Sequence, residues 1–285
     1  MKKIKHIILI PVYNDWKSLQ KLISEINKVS KNLKDFETQI LIVDDNSSKK
    51  IRKSRTRFNY IKKIQILTLK KNLGSQKAIA VGLFYLKNLN KDFFITVMDS
   101  DGEDKPQDLK RLMILAKKNK SWVITSNRKK RKETFLIRIL YSMHLMISYI
   151  FTLNWISFGN FTSFHSKNLP KILKDNSSWY AHSSSIINNC KIKRIYAKRG
   201  KRYFDKSKLN LYDLFEHSLR VNAVFFKKIL LISIIYLLLI SIFFSSVPAI
   251  KYFLIISILF FNLCVFLIKI KHHKRNLNNL NSYLS

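Results

Sequence analysis

Cysteine is scarce in this sequence, which has 285 residues and only two cysteines, Cys190 and Cys264. Two cysteines cannot form a disulfide framework, and Cys264 lies inside an apolar run, so neither a disulfide nor a zinc site is indicated. Nothing suggests thiol catalysis either. The length allows one large domain plus something smaller, which is enough chain to bury a sizeable core.

Acidic residues are also scarce, with 17 Asp and Glu against 53 Lys and Arg and a net charge of +36. So basic a chain must meet polyanions, either nucleic acid, an anionic membrane surface or phosphorylated ligands. The sequence has no aromatic-basic platform or groove-reading motif, so we expect no nucleic-acid partner. Only five glycines and an enrichment in Lys, Asn and Ile indicate a compositional bias, so part of the charge has no specific meaning.

This scarcity makes one acidic cluster conspicuous. The apolar run 95–98 ends abruptly in the segment 99–104, Asp-Ser-Asp-Gly-Glu-Asp. Its carboxylates at alternate positions, Asp99, Asp101 and Glu103, could face one hard cation, because Mg²⁺ and Mn²⁺ prefer oxygen ligands and complete their shell with phosphate oxygens. The alternative is a solvated acidic loop built on a tight turn.

Apolar runs of strand length alternate with helical patterns in the first half of the chain. The predicted strands are 6–12, 39–43, 64–69, 93–98 and 122–125, and the predicted helices are 16–29, 49–58, 75–89 and 106–118. Strands that are apolar on both faces and alternate with helices predict an α/β fold with a mainly parallel, doubly wound sheet and flanking helices. Ligands of such sheets bind beyond the carboxyl ends of the strands.

Three predicted strands end in polar groups, at 13–15, 44–45 and 99–101. Because the carboxyl ends of parallel strands share one edge, these groups should converge, and a solvated loop would make that a coincidence. We therefore favour a metal–diphosphate site over the loop. The basic run 128–132 leaves the same edge, and we interpret it as a phosphate-gripping loop rather than a solvated one.

Two apolar segments, 229–247 and 250–268, are long enough to cross a membrane. Both flanks are rich in Lys and Arg, so we predict a transmembrane hairpin whose flanks, and the chain's N-terminus, are cytoplasmic. The end of the chain, 269–285, reads as a basic, Asn-rich cytoplasmic tail. Its last ten residues, 276–285, are predicted to be disordered.

Two further segments carry weaker membrane signals. Segment 209–228 is amphipathic, which suits a juxtamembrane helix in the membrane interface, although a core-packed helix has the same pattern. Segment 139–158 is nearly apolar but is interrupted by polar residues. If it crossed the membrane, the basic segment 167–228 would lie on the far side, so we predict an interfacial or buried helix instead.

Four short segments carry a family resemblance, and their order and spacing are jointly specific although each is weak alone. They are 10–15 (Ile-Pro-Val-Tyr-Asn-Asp), 42–47 (Ile-Val-Asp-Asp-Asn-Ser), 71–77 (Lys-Asn-Leu-Gly-Ser-Gln-Lys) and 98–106 (Met-Asp-Ser-Asp-Gly-Glu-Asp-Lys-Pro). The sequence resembles the inverting family 2 glycosyltransferases of GT-A fold, in particular the polyprenyl-phosphate group that includes dolichyl-phosphate mannose synthase and bactoprenol glucosyl transferase. The resemblance implies a GT-A domain over 1–208.

The resemblance also implies a donor site. The residues that would bind the nucleotide sugar are Pro11, Tyr13, Asp15, Asp44, Gly74, Lys77 and Asp99. Asp15 stands where the family usually has Glu. Asp99 and Asp101 match the Asp-x-Asp motif, and Glu103 stands where relatives often have a Gln that reaches the metal. These three carboxylates would bind Mg²⁺ or Mn²⁺.

The acceptor side departs from the family pattern at Asn160, within a stretch that resembles the family's Gly-Asp-Phe, where an Asp has been proposed as catalytic. An amide cannot act as a general base. A phosphate acceptor is already ionised near neutral pH, so Asn160 favours such an acceptor or an inactive enzyme. Basic residues that match the family's acceptor loop, and would contact the acceptor phosphate beside Asn160, are Arg199, Arg202 and Lys206. We assign catalytic roles to Asp101, Arg128 and Arg131; for any single arginine, a solvated or lipid-headgroup contact is the alternative.

Together these features predict an inverting, metal-dependent transferase that moves a sugar from a UDP- or GDP-sugar to a polyprenyl phosphate at the cytoplasmic face of the inner membrane. One alternative is a family 2 transferase acting on a saccharide hydroxyl, which would need another base such as Asp205 or His165. Another is a membrane-tethered, non-catalytic binding protein. The sequence names neither the sugar nor the metal, and it leaves a homo-oligomer open.

Overall fold

The structure is a computed structural model that describes residues 3–49, 58–89, 91–128, 135–204, 210–273 and 282–285. The chain forms two compact units. We call the first the sheet unit (Met1–Lys132, Ser157–Ser207 and Asn276–Ser285) and the second the helical unit (Glu133–Ile156 and Lys208–Arg275). The helix predicted at 49–58 lies almost entirely outside the described residues.

The sheet unit is built on one mixed sheet. Its strands are β1 (Ile4–Val12), β2 (Phe36–Asp44), β3 (Ile61–Thr68), β4 (Phe94–Val97), β5 (Trp122–Arg128), β6 (Phe158–His165) and β7 (Lys191–Ala197). They lie in the order β3-β2-β1-β4-β6-β5-β7. Strands β1 to β4 pair in parallel, as do β5 and β7, whereas β6 runs antiparallel to β4 and β5. The predicted mainly parallel sheet is confirmed.

Helices cover both faces of this sheet and make up the helical unit. In chain order they are α1 (Trp16–Ser30), α2 (Ser75–Lys87), α3 (Leu109–Lys118), α4 (Phe135–Thr152), α5 (Leu169–Ile172), α6 (Ser177–Tyr180), α7 (His182–Asn189), α8 (Leu211–Ala223), α9 (Phe226–Phe243) and α10 (Pro248–His273). Short 3-10 turns at Pro106–Asp108, Ser166–Asn168 and Lys174–Asn176 precede α3, α5 and α6. Helices α4, α8, α9 and α10 belong to the helical unit.

The core has two layers because successive side chains of a strand point to opposite faces. From β1, Ile8 and Ile10 pack with Leu22 of α1, whereas Leu9 packs with the small residues of α2. Helix α2 approaches β1 closely at Gly82, where a Cβ atom would overlap the Leu9 side chain. Burial on both faces accounts for the continuous apolar runs that predicted these strands.

Residues 282–285 differ from the disorder predicted for 276–285, whereas 276–281 lie outside the described residues. Leu284 forms a β-bridge with Leu69 next to β3, and the backbone N–H of Ser285 donates to the Thr68 carbonyl at 3.0 Å. Tyr283 is buried, with its ring 5.5 Å from that of Trp179. Burial of this aromatic ring and pairing at an otherwise open strand edge order residues that their composition assigned to a disordered tail.

The helical unit contains the predicted apolar helices. By length and composition, Phe226–Phe243 and Pro248–His272 could each cross a membrane, and most of their side chains are exposed. Helix α4 ends at Thr152, earlier than predicted, because the next residue, Leu153, turns out of the helix with φ 52°. Residue 158, the predicted end of that helix, is instead the first residue of β6.

Helices α4 and α8 contact each other through polar groups that are buried or half-buried. The Oγ atom of Ser218 lies 2.5 Å from Nδ1 of His144, and the Asn222 amide donates to Ser148 Oγ at 3.1 Å. The opposite face of α4 exposes apolar side chains such as Met146, which is 59% exposed. Helix α4 therefore turns a polar side toward α8 and leaves an apolar side exposed.

Candidate functional site

Polar groups meet at the carboxyl edge of the sheet, where the adjacent strands β2, β1 and β4 end. The loops after β1 and β2 are joined by the backbone N–H of Asn14, which donates to Ser47 Oγ at 2.9 Å. Asn14 and Asn46 have φ values of 53° and 60°, a left-handed conformation that Asn tolerates better than most residues. Parallel pairing therefore brings the predicted acidic strand ends to one side of the sheet.

Two neighbouring aspartates at the end of β2, Asp44 and Asp45, accept hydrogen bonds from different loops. Asp44 Oδ1 accepts the backbone N–H of Ser47 at 3.0 Å. Asp45 accepts the backbone N–H groups of Leu73 and Gly74, each at 2.7 Å, one on each carboxylate oxygen. Burial raises the pKa of Asp45 to about 6. Asp45 thus ties the loop before α2 to the sheet, a role that sequence reasoning missed although the Asp-Asp pair marked its position.

The loop before α2 carries two predicted donor-site residues. Gly74, whose φ of 88° a side chain would strain, precedes the first turn of α2. The Nζ atom of Lys77 lies 5.4 Å from the centroid of the Trp179 ring. Both residues therefore lie in the loop and first turn that Asp45 anchors.

The segment 99–104, which we call the acidic turn, folds onto itself. Asp101 Oδ1 accepts the backbone N–H of Glu103, and Asp104 Oδ2 accepts that of Asp99, both at 3.0 Å. Gly102 permits the turn with φ 85°. Burial, and next the neighbouring Asp99 carboxylate, raise the pKa of Asp101. A buried carboxylate that is repelled by a second carboxylate is an arrangement that a cation between them would stabilise.

Segment 199–203, which we call the basic segment, lies against the acidic turn. Arg202 Nη2 is 2.8 Å from Asp101 Oδ2, and Arg199 forms an ion pair with Glu103. The predicted acceptor arginines and the predicted metal carboxylates are thus brought together as two ion pairs. Across the described ranges 3–49, 58–89, 91–128, 135–204, 210–273 and 282–285, no three acidic, His or Cys side chains form a group able to hold a metal.

The ion pair with Arg199 distinguishes Glu103 from Asp99 and Asp101, which were predicted to bind the metal together with it. Its carboxylate faces a guanidinium, which satisfies its charge without a metal. The aspartates Asp99 and Asp101 remain close enough for the charge of one to act on the pKa of the other. The sequence pattern of alternate carboxylates does not show whether a metal ion or an arginine faces each carboxylate, and in the structure an arginine faces Glu103.

Backbone contacts hold the basic segment in place. The N–H of Gly200 donates to the Glu103 carbonyl at 2.8 Å, and that of Tyr203 donates to the Asp101 carbonyl at 3.0 Å. A Cβ atom on Gly200 would lie 2.5 Å from the Gly102 carbonyl oxygen, so only glycine allows this approach. Burial raises the pKa of the Tyr203 hydroxyl further above its ordinary value. The segment therefore covers the acidic turn along its backbone as well as through its arginines.

Asn160 contacts the acidic turn from the other side. Its Nδ2 donates to Asp99 Oδ1 at 2.9 Å, and its Oδ1 accepts from Gln76 Nε2 at 3.0 Å. Sequence reasoning identified Asn160 as a departure on the acceptor side and missed Gln76. The segment 71–77 contained Gln76, but nothing in the sequence indicated that its partner lies 84 residues away.

The other predicted site residues lie in several environments. Pro11 is buried in β1, the Tyr13 ring is 44% exposed at the edge, and Asp15 immediately precedes α1. Arg128 ends β5, and its side chain is outside the described part of the structure. Outside the described residues altogether are Arg131, Asp205 and Lys206.

His165, an alternative base, lies at the wrong end of β6. It pairs with Phe94 at the start of β4, and its Nδ1 accepts the backbone N–H of Lys167 at 3.2 Å. The acidic turn follows the other end of β4. His165 therefore caps a 3-10 turn and packs on Phe94 rather than facing the site.

Comparisons with known proteins point to one family. A family model described as glycosyl transferase family 2 matches residues 7–185. The chain is 29% identical over 130 residues to the undecaprenyl-phosphate 4-deoxy-4-formamido-L-arabinose transferase of Proteus mirabilis, covering 45% of this chain and 38% of that protein. It is 30% identical over 114 residues to the dolichyl-phosphate beta-glucosyltransferase of Homo sapiens, covering 37% and 33%. The chain thus spans less than half the length of these curated relatives.

A solved structure shares the fold over nearly the whole chain. The mannosyltransferase PcManGT of Pyrobaculum calidifontis, in complex with GDP-Man and Mn²⁺, superposes with a TM-score of 0.54 at 10% identity. The match covers 96% of this chain and 89% of that one. At this identity the likeness shows the fold alone.

Proposed function

The chain belongs to glycosyl transferase family 2, and we propose that it transfers a sugar from a nucleotide-diphosphate sugar to a polyprenyl phosphate. The observation that carries the proposal is the meeting of Asp99, Asp101, Arg199 and Arg202 at the carboxyl edge of the sheet. Carboxylates for a metal–diphosphate and guanidinium groups for a second phosphate then lie side by side. The names of the two curated relatives, an undecaprenyl-phosphate and a dolichyl-phosphate transferase, support this acceptor class.

The donor would bind along the ends of β1 and β2. The exposed ring of Tyr13 offers a face for the base, Asp44 a carboxylate for the base or ribose, and Pro11 and Asp15 the surrounding wall. Gly74 and Lys77, in the loop and helix turn held by Asp45, would approach the diphosphate. A UDP- or GDP-sugar fits this assignment equally well.

The metal would be held by Asp99 and Asp101. The donor set fits Mg²⁺ or Mn²⁺, because both are hard cations that prefer carboxylate oxygens and share their coordination with diphosphate. When bound, such an ion neutralises charge on the departing diphosphate. Glu103 completes the proposed set only when Arg199 leaves it, because the two now form an ion pair.

The acceptor phosphate would bind beside the acidic turn, where Arg199 and Arg202 would attract it. We assign Lys206 to the same phosphate from the sequence, and Arg128 and Arg131 to steadying phosphate charge. Guanidinium groups bind phosphate oxygens in pairs and so orient the nucleophile. A phosphate oxygen is already ionised near neutral pH, so attack with inversion at the anomeric carbon needs no general base. A saccharide hydroxyl would need one, and Asn160 cannot supply it.

The helical unit would bind the membrane. We assign α9 and α10 to a transmembrane hairpin, since both are apolar, of sufficient length and largely exposed. Lys227 and Lys228 begin the hairpin and Lys269 and Lys271 end it, which by the positive-inside bias makes both flanks cytoplasmic. The site would then act at the cytoplasmic face of the inner membrane, with α4 and α8 at the interface.

A donor screen tests this function. Membranes carrying the protein, incubated with labelled nucleotide sugars, undecaprenyl phosphate and Mn²⁺, should yield a labelled lipid with at least one donor. Membranes from the same host without the protein are the control, and omission of Mn²⁺ should reduce the product. Absence of a labelled lipid with every common UDP- and GDP-sugar would favour a non-catalytic binding protein instead.

A further inference from the structure

Asn160 lies opposite Asp99 because of the antiparallel strand β6. Val97 of β4 pairs with Thr162 of β6, and continuing that register by two residues brings positions 99 and 160 together. The amide group of Asn160 then bridges the acidic turn and helix α2, donating to Asp99 and accepting from Gln76. Three side chains from three separate elements thus form one hydrogen-bonded chain.

The direction of this chain of hydrogen bonds is fixed by its two ends. At one end, a carboxylate oxygen of Asp99 is the acceptor, so Asn160 presents its NH₂ group. At the other end, the backbone N–H of His182 can only donate, and it donates to Gln76 Oε1 at 2.8 Å. Gln76 must therefore present its own NH₂ group to the Asn160 carbonyl. Every link has one allowed donor, so the amides cannot flip without losing a bond.

Gln76, at the end of the hydrogen-bond network farthest from Asp99, is held rigidly. Gln76 is only 7% exposed and lies in the first turn of α2, just after Gly74. The backbone of that turn is tied to the sheet by Asp45, and His182 is itself buried with Nε2 2.9 Å from Thr162 Oγ1. A side chain held at both its backbone and its tip can fix the group that it contacts.

We propose that Gln76 is a positioning residue, which acts through Asn160 to orient the Asp99 carboxylate toward the metal. The inference rests on the proposed function, in which Asp99 is a metal ligand. Ligating carboxylates are commonly held by hydrogen bonds from a surrounding set of residues, and loss of such a partner weakens metal binding. Gln76 would touch neither metal nor sugar, and its effect would be on metal affinity.

This role gives position 160 a reason to be an amide. A carboxylate there would turn an acceptor toward the acceptor Asp99, leaving like charges in contact. Asn160 is the side chain that donates to Asp99 while it accepts from Gln76. Under this proposal, position 160 is Asn rather than the family's Asp because an amide is needed there to hold Asp99.

The test measures Mn²⁺ binding to the purified full chain, by electron paramagnetic resonance, in the presence of UDP or GDP. Gln76→Leu removes both hydrogen bonds, and Gln76→Glu keeps the acceptor for His182 but removes the donor to Asn160. Both should raise the Mn²⁺ concentration for half-maximal binding by about 10-fold or more, in the range found for residues that support metal ligands. Transfer by both variants should recover toward the wild-type rate as Mn²⁺ is raised.

Gln65→Leu is the matched control, because Gln65 is a half-buried glutamine in β3 whose amide donates to Tyr85 at 2.7 Å. It should leave the Mn²⁺ midpoint unchanged. Wild-type midpoints in both Gln76 variants would overturn the positioning role while leaving the proposed function intact. A wild-type chain that binds no Mn²⁺ with either nucleotide would overturn the metal site itself, and the positioning role with it.

Discussion

Replacing Asp101 by Asn should lower sugar transfer by about a thousandfold, because a metal ligand supplies several kcal/mol of charge stabilisation and about 1.36 kcal/mol corresponds to a tenfold change in rate. The Asp101 carboxylate is buried, and the charge of the neighbouring Asp99 raises its pKa, so the pair would lose much of its attraction for a cation without it. The amide keeps the size of the side chain but not its charge. The rate is measured as labelled lipid formed per unit of protein, with saturating donor.

A measurement of Mn²⁺ binding distinguishes loss of the metal from loss of the ion pair with Arg202. Arg202→Ala removes the same ion pair but keeps the carboxylate, so it should bind Mn²⁺ at least as well as wild type, whereas Asp101→Asn should not bind it. Asp35→Asn, which alters an exposed aspartate that pairs with Lys117, should change neither quantity. Full activity in Asp101→Asn would eliminate Asp101 as a metal ligand.

Replacing Asn160 by Asp should lower transfer by about 100-fold at neutral pH, at the upper end of the effects found for residues that support metal ligands. The new carboxylate would face Asp99 Oδ1, now 2.9 Å from the Asn160 amide, and the donor that orients Asp99 would be lost. The same change restores the family's candidate base. The two explanations of position 160 therefore predict opposite signs, and an initial-rate assay distinguishes them.

Asn160→Ala provides the comparison, since it removes the donor without adding a charge. We expect the order wild type, Asn160→Ala, Asn160→Asp from fastest to slowest. If Asn160→Asp were faster than wild type, the reaction would need a base after all, and the phosphate-acceptor argument would lose its support.

The fold could be predicted where burial of a strand on both faces produces a continuous apolar run in the sequence. Strands β1, β2 and β4 are covered on both faces, so they appear as continuous apolar runs. Strands β6 and β7 were missed for a physical reason. The run Phe-Gly-Asn-Phe-Thr-Ser-Phe-His of β6 contains Thr162 and Ser163, which are fully buried only because β6 inserts between β4 and β5. Tertiary pairing, not local pattern, makes that segment a strand.

The sequence predicted which residues lie at the site, but not which of them form ion pairs or hydrogen bonds with each other. Polar groups after strand ends follow from the geometry of parallel sheets, which is why Asp44, Asp99 and Asp101 were identified. The ion pair between Arg199 and Glu103 joins residues 96 positions apart, and a single sequence holds no information on such a distance. The arginines were assigned to the acceptor and the carboxylates to the metal, whereas in the structure the two sets neutralise each other.

In the proposed reaction the acceptor is a phosphate whose ionised oxygen attacks without a base. The most direct measurement gives the purified protein, Mn²⁺ and an active donor either undecaprenyl phosphate or the corresponding alcohol, undecaprenol, and identifies products by mass spectrometry. We predict a sugar-phosphate lipid from the first and no product from the second. Transfer to the alcohol at a comparable rate would show that the enzyme activates a hydroxyl, and that the reaction does not depend on an ionised phosphate acceptor.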